Sequence, residues 1–193
     1  MDALIFPIHP PSPSLFRKVL AISFIALCAI FVILALVIYS VIDIEGPVGQ
    51  IAAPVALGSM WAMMLFIVFT IFTWSYYVAK KTAFAVLPSH LVINNSAHGK
   101  NFKHGDLRPA EARIVDLESE PQYRPNTKLF GINTFFYHGG SFRLHSKEKA
   151  HVFYAGSQRL VYIPTSFDHA LLLGPADPEG FLAALQSPAP EEA

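Results

Sequence analysis

Of the chain's 8 histidines, His90, His98, His104, His138, His145, His151 and His169 lie beyond position 81. Imidazole can ligate a metal or move a proton near neutral pH. A metal site needs three or four convergent ligands with a fixed surrounding shell. No HxH or HExxH spacing and no companion cysteine accompanies these residues. His145 and His151 flank the Ser146–Ala150 turn and can meet across a hairpin, but two imidazoles do not complete a site. No metal and no cofactor is expected. The single cysteine, Cys28, lies in an apolar run and reads as a packing thiol, with no intrachain disulfide available.

Other catalytic chemistry is equally unsupported. The acids Asp116, Glu118 and Glu120 alternate as on a solvated face, and nothing positions a nucleophile beside them. There is no GxSxG, no phosphate loop and no dinucleotide fingerprint. No catalytic residue is assigned, and an enzyme is not expected. Lys100, Lys103 and His104, with His98 nearby, form the densest positive cluster outside the apolar runs. A basic residue near an anionic membrane contributes about 1 kcal/mol, and a useful polybasic signal needs about four to eight of them. The cluster can orient a domain that is already tethered; the alternative is an ordinary solvated loop. The segment 118–128 is polar and broken by proline, hence a loop, and its mixed charge suits a protein partner. Nucleic acid is not an expected partner.

The elements that must position these residues fall into two parts. Hydrophobic residues make up 53% of the 193-residue chain, charged residues 15%, and the formal net charge is zero. The excess is concentrated in the first eighty positions. No charged residue or histidine occurs from Val19 to Val41 or from Ile51 to Val78. Each run exceeds the roughly 20 residues that a helix needs to cross about 30 Å of hydrocarbon. The acidic, turn-rich connector from Asp43 to Gln50 makes them an antiparallel hairpin. Arg17 and Lys18 precede the first span and Lys80 and Lys81 follow the second, which places both termini in the cytoplasm. Trp74, Tyr76 and Tyr77 read as an interfacial aromatic belt. The first run is too long for the apolar region of a cleaved signal peptide. Spans without ionisable groups make a poor ion or proton path. Gly58 and Ala62 form a small-xxx-small pair that could let helices approach.

Beyond Lys81, short runs of β-branched and aromatic residues recur between turn residues, the pattern of an all-β sandwich or barrel. Strands are expected at Thr82–Leu87, His90–Asn94, Lys100–His104, Ala112–Leu117, Thr134–Tyr137, Ser141–His145, His151–Ala155, Leu160–Pro164 and Ala170–Leu173. Phe142 and Leu144 should share one face, with Arg143 and His145 on the other. Gly139-Gly140 is expected to turn a tight hairpin, with Gly131 ending a loop or permitting a bulge. Tyr137, His138 and Arg143 around it form a candidate partner surface. Asp177-Pro178-Glu179 starts a helix whose Phe181, Leu182 and Leu185 form an apolar stripe, stopped by Pro188 and Pro190.

"LLLGPADPEGFLAAL" (Leu171–Leu185), with "TKLFGINTFFYHGGSFRL" (Thr127–Leu144) and "VFYAGSQRLVYIPT" (Val152–Thr165), resembles the membrane-anchored bacterial pleckstrin-homology (PH)-like domain proteins. The resemblance runs from Thr82 to Gln186, and "PADPEGF" (Pro175–Phe181) is its most specific part. It implies a curled seven-stranded antiparallel barrel or sandwich with a C-terminal capping helix, no enzymatic activity, and self-association or a role at the membrane. Phosphoinositide-binding members carry Lys and Arg around the first hairpin turn; here that turn is Leu87-Pro88-Ser89-His90, so phosphoinositide binding is not carried over. The expected organisation is α+β: a Pro-rich extended tail (1–14), a two-helix transmembrane hairpin (15–81, spans about 19–41 and 51–78), a PH-like cytosolic domain (82–186) and a tail (187–193). The expected function is a non-catalytic binding or scaffolding module of the bacterial inner membrane. Arg17, Lys18, Lys80, Lys81, Lys100 and Lys103 are candidate contacts to lipid headgroups, and the link from Lys81 to the first strand has almost no slack. The alternative is an accessory subunit of a larger transporter or envelope-biogenesis complex. Expected partners are the bilayer and either a second copy or another membrane protein.

Overall fold

The computed structural model describes residues 3–41, 47–94 and 99–187. His98, Asp43, Glu45, Pro188 and Pro190 lie outside the described residues. The chain forms two compact units, Pro13–Trp74 and Met1–Ser12 with Ser75–Ala193.

The first unit is helical. Helix α1 spans Pro13–Val41, and α2 spans Pro47–Lys81 and continues into the second unit. Both are long and apolar enough to cross a membrane. Pro47 opens α2, where its fixed φ fits and its missing N–H is no loss. The connector is therefore shorter than expected: Pro47 to Gln50 is helical, and Pro54 lies inside α2. Trp61 packs between Phe24 and Phe31, with ring centroids 6.5 and 5.3 Å apart. Side chains such as Ile25, Leu36 and Phe66 remain exposed. A Cβ on Gly58 would meet nothing within 4 Å, so Gly58 and Ala62 do not bring α1 and α2 into close approach.

The second unit holds two sheets and a helix. The first sheet is β1 (Leu4–Pro7), β2 (Ala83–Val86), β3 (His90–Asn94) and β4 (Lys100–Lys103), antiparallel and in chain order. The second contains β5 (Arg113–Asp116), β6 (Pro125–Asn133), β7 (His138–Leu144), β8 (Lys149–Tyr154), β9 (Arg159–Ile163) and β10 (Ala170–Leu173). Its order is β5-β9-β10-β8-β7-β6. Among the described residues the two sheets do not join into a closed barrel. Where the resemblance implies seven antiparallel strands, the described residues hold ten with one parallel pair: β10 inserts between β9 and β8 and runs parallel to β8. A central strand is buried on both faces, which is why β10 reads Ala-Leu-Leu-Leu without alternation.

The Pro-rich N-terminal tail, expected over 1–14, is non-helical from Ala3 to Ser12, after which Pro13 opens α1, and it supplies β1. Leu4 to Pro7 pairs with Val86 to Ala83, and His9 N–H donates to the Gly174 carbonyl at 2.9 Å. Two further expectations change. Thr134–Tyr137 is the turn between β6 and β7, and Gly139-Gly140 lies inside β7. The expected loop 118–128 gives way to strand at Pro125.

The main core joins both sheets. It gathers Phe84, Leu91 and Ile93 from the first, Phe153, Val161 and Leu171 from the second, and Val78 and Ala79 from the last turn of α2. The opposite face of the second sheet holds another core, with Val115, Phe142, Val152, Leu160 and Leu172 beneath Tyr123, Tyr154 and Tyr162. Helix α3 (Pro178–Gln186) starts as expected, with Asp177 Oδ1 accepting from the Gly180 N–H at 3.0 Å. It docks Phe181 and Leu185 into the main core, where Phe181 meets Phe6 and Phe84 edge-on at 5.4 and 5.9 Å.

Candidate functional site

Strand β8 alternates. Ala150 and Val152 enter the second core, while His151 and Phe153 face the main core. At His151 that apolar face runs out, and a cavity of about 370 Å³ opens there. It is lined by Lys100, Asn101 and Phe102 from β4, Asp106, His151, and Phe167 with His169 before β10. The rings of His151 and His169 meet edge-on at 4.6 Å, and Phe167 stacks on His169 at 5.6 Å. Sheet pairing sets the cluster: Ser141 lies directly opposite His151 in the β7–β8 register, and Leu171 pairs with His151 in β10.

His151 is the hub of the pocket's polar contacts. Lys100 Nζ is 2.9 Å from His151 Nε2 and 3.4 Å from Nδ1, and Ser141 Oγ is 2.9 Å from Nδ1. With both ring nitrogens within 3.4 Å, the ammonium sits over the imidazole face rather than on an in-plane lone pair. A nucleophilic serine needs a base whose far nitrogen is oriented by an acid; beside His151 that neighbour is a lysine. Burial pushes His151 down to about 4, assisted by the charges of Lys100 and His169. Burial also lowers Lys100 and His169. The pocket thus presents one ammonium, one amide and the Asp106 carboxylate beside neutral imidazoles and apolar rings. Its Lys100 and Asn101 donors fit a hydrogen-bond-accepting group such as a carboxylate, held away from Asp106. Among the described residues no group of three His, Cys, Asp or Glu could hold a metal ion.

A second constellation joins the end of α2 to the β6–β7 turn. Ser75, fully buried, lies 2.7 Å from Thr134 Oγ1. Thr134 Oγ1 itself donates to the Tyr137 carbonyl, so Ser75 is the donor. Tyr76 meets Phe136 edge-on at 6.3 Å, and Thr82 Oγ1 lies 3.5 Å from the Tyr137 hydroxyl.

Against the expected site residues, Lys100 turns into the pocket, whereas Lys103 is exposed. Arg17, Lys18, Lys80 and Lys81 are exposed, with Lys80 Nζ 5.5 Å from the centre of the Tyr76 ring. Tyr137 is fully buried in the main core and cannot form a partner surface; its ring fills the space above Gly139. His138 is half-buried and stacked on Tyr154, and Arg143 is exposed. His145 and His151 do not meet. The hairpin turns about Lys147, with a φ of 72°, and His145 Nδ1 reaches the Pro121 carbonyl instead, at 3.2 Å. The sequence counted His169 only among scattered histidines and did not name Ser141 as a site residue: Ser141 meets His151 across the antiparallel β7–β8 pair, and His169 is brought in by the parallel β8–β10 pair, which has no local signal.

Two packed sheets closed by a C-terminal helix make the second unit PH-like. The family model of the bacterial PH domain matches residues 109–189, which contain all of the second sheet and α3. This segment is therefore a bacterial PH domain, preceded in the chain by two apolar helices. The first sheet, which supplies Lys100, lies outside the match. No curated protein and no solved structure matches the chain.

Proposed function

We propose that the chain is a membrane-anchored, non-catalytic binding or scaffolding module of the bacterial inner membrane, crossing twice with both termini in the cytoplasm. The pairing of Leu4–Pro7 with Ala83–Val86 carries this reading. One strand precedes α1 and the other follows α2, so the two flanks of the helix pair lie together, as an even number of crossings requires. Arg17, Lys18, Lys80 and Lys81 then favour the cytoplasmic side, where they suit anionic headgroups. A lysine rather than an acid beside His151 supports binding over catalysis. The Lys100–His151–His169 pocket is the proposed site, and its chemistry fits a carboxylate on a protein partner or a second copy. Alkaline phosphatase and green fluorescent protein fused in turn after Ala193 test the topology. Fluorescence with no phosphatase activity is expected; the reverse overturns it.

A second reading, an accessory subunit, is favoured by an apolar groove of about 500 Å³ lined by Leu20, Phe24, Leu27, Leu65, Phe66 and Phe69. A partner's helix could fill it. Purification in mild detergent separates the two, since a stoichiometric second protein supports the subunit and self-association alone supports the scaffold.

A further inference from the structure

Phe135 is 72% exposed at the tip of the β6–β7 turn, while its neighbours Phe136 and Tyr137 are buried at 1% and 0%. An exposed phenyl directly preceding two fully buried aromatics is not accounted for by the β unit's own packing. The turn's position suggests what covers it. Ser75 donates to Thr134, and Tyr76 packs on Phe136, so the turn is held against α2 at these two residues. Ser75 directly follows Trp74 and precedes Lys80 by five positions, about 7.5 Å along a helix axis. The turn therefore lies level with Ser75 and Tyr76, on the apolar side of the lysine pair. Asn133 to Tyr137 contains no charged residue. The Thr134 N–H donates to the Tyr137 carbonyl at 2.9 Å, which spares the turn two unpaired backbone groups in an apolar setting.

We infer that this turn is a second membrane contact, with Phe135 entering the headgroup–acyl boundary beside the end of α2. The inference rests on the anchor reading above, and adds that the β unit itself touches lipid through an aromatic rather than through basic residues. A phenyl ring is favourable at that depth, and a single uncharged residue there needs no binding pocket.

The test uses the full chain with Cys28→Ser, reconstituted in phosphatidylethanolamine–phosphatidylglycerol nanodiscs. A bimane probe is placed at Phe135→Cys and, in a separate sample, at Phe66→Cys. Nitroxides near the headgroup should quench the Phe135 probe at least about twofold more than iodide does, and more than nitroxides deep in the acyl chains. Deep nitroxides should quench the Phe66 probe; failure there would overturn the anchor reading itself. A Phe66 probe in lipid with a Phe135 probe open to iodide would overturn the turn contact alone. So would a Phe135 probe reached by neither quencher, which would mean that protein covers it. Circular dichroism melts confirm that the labelled chains fold. Phe135→Trp with Trp61→Phe and Trp74→Phe gives an independent reading: emission blue-shifted from a water-exposed tryptophan is expected, and water-like emission counts against insertion.

Discussion

Gly131 and Gly140 face each other across β6 and β7, and both hold a positive φ, 131° and 134°. A Cβ on Gly131 would lie 2.2 Å from the Gly139 carbonyl oxygen, and one on Gly140 would lie 2.3 Å from the Phe130 carbonyl oxygen. Both obstacles are backbone, so neither can rotate away. Gly131→Ala and Gly140→Ala should each lower stability by roughly 2–4 kcal/mol, combining left-handed strain with overpacking. Thermal melts of the purified chain check this. An alanine variant with an unchanged midpoint would mean that the two strands can part without loss.

These glycines show what the sequence could convey. Period-two alternation placed Phe142 and Leu144 inward and Arg143 outward, because that periodicity follows from strand geometry alone. The start of α3 was legible because capping by Asp177 involves residues three apart. Gly139-Gly140 misled because two glycines suit a tight turn and a close backbone crossing equally well. The pocket was less legible. Lys100 and His151 are brought together by sheet packing, and His169 by a parallel pair whose partners are about twenty residues apart. Strand β6 was missed because Leu129 and Phe130 are exposed and its register shifts twice, which erases the alternation.

The N-terminal segment is predicted to be indispensable to the β unit. Ile8 is 3% exposed in the main core, its N–H donates to the Thr82 carbonyl at 3.2 Å, and it bridges to Pro175. Ile8→Ala should cost about 2–5 kcal/mol, the range for truncating a buried isoleucine. Denaturant melts followed by β-sheet circular dichroism measure it. A loss below half a kilocalorie would place residues before α1 outside the folded unit.

His138 gives a signed pH dependence. Its ring lies flat on Tyr154, with centroids 4.5 Å apart and planes 7° from parallel, and Phe142 is the other ring beside it. Burial pushes it from 6.5 down to about 4. The unfolded chain therefore binds the proton first as pH falls. Stability is fully present above about pH 6.5 and is lost progressively down to the folded value. At pH 4.5 the wild type should have lost roughly 2–3 kcal/mol on this account. His138→Phe keeps a ring on Tyr154 and should remove that part of the acid-side loss. Melts of both proteins at pH 7 and pH 4.5 give the difference, and equal losses would remove His138 as its cause.

Lys100 is the residue on which the proposed pocket depends, since among the described residues it is the one lysine or arginine lining that cavity. Lys100→Met keeps the length of the stem and removes the ammonium beside the His151 ring. Two effects should appear together. The midpoint of His151, about 4 in the wild type, should rise because a repulsive charge is gone, though burial, the larger cause, still holds it below 6.5. Binding of a carboxylate probe such as acetate, followed by amide and imidazole shifts at Asn101 and His151, should weaken at least about tenfold, the effect of losing one hydrogen bond to a charged group. A raised midpoint with unchanged acetate shifts would keep the Lys100–His151 contact and sink the pocket as an anion site, leaving the exposed faces of the sheets to carry recognition.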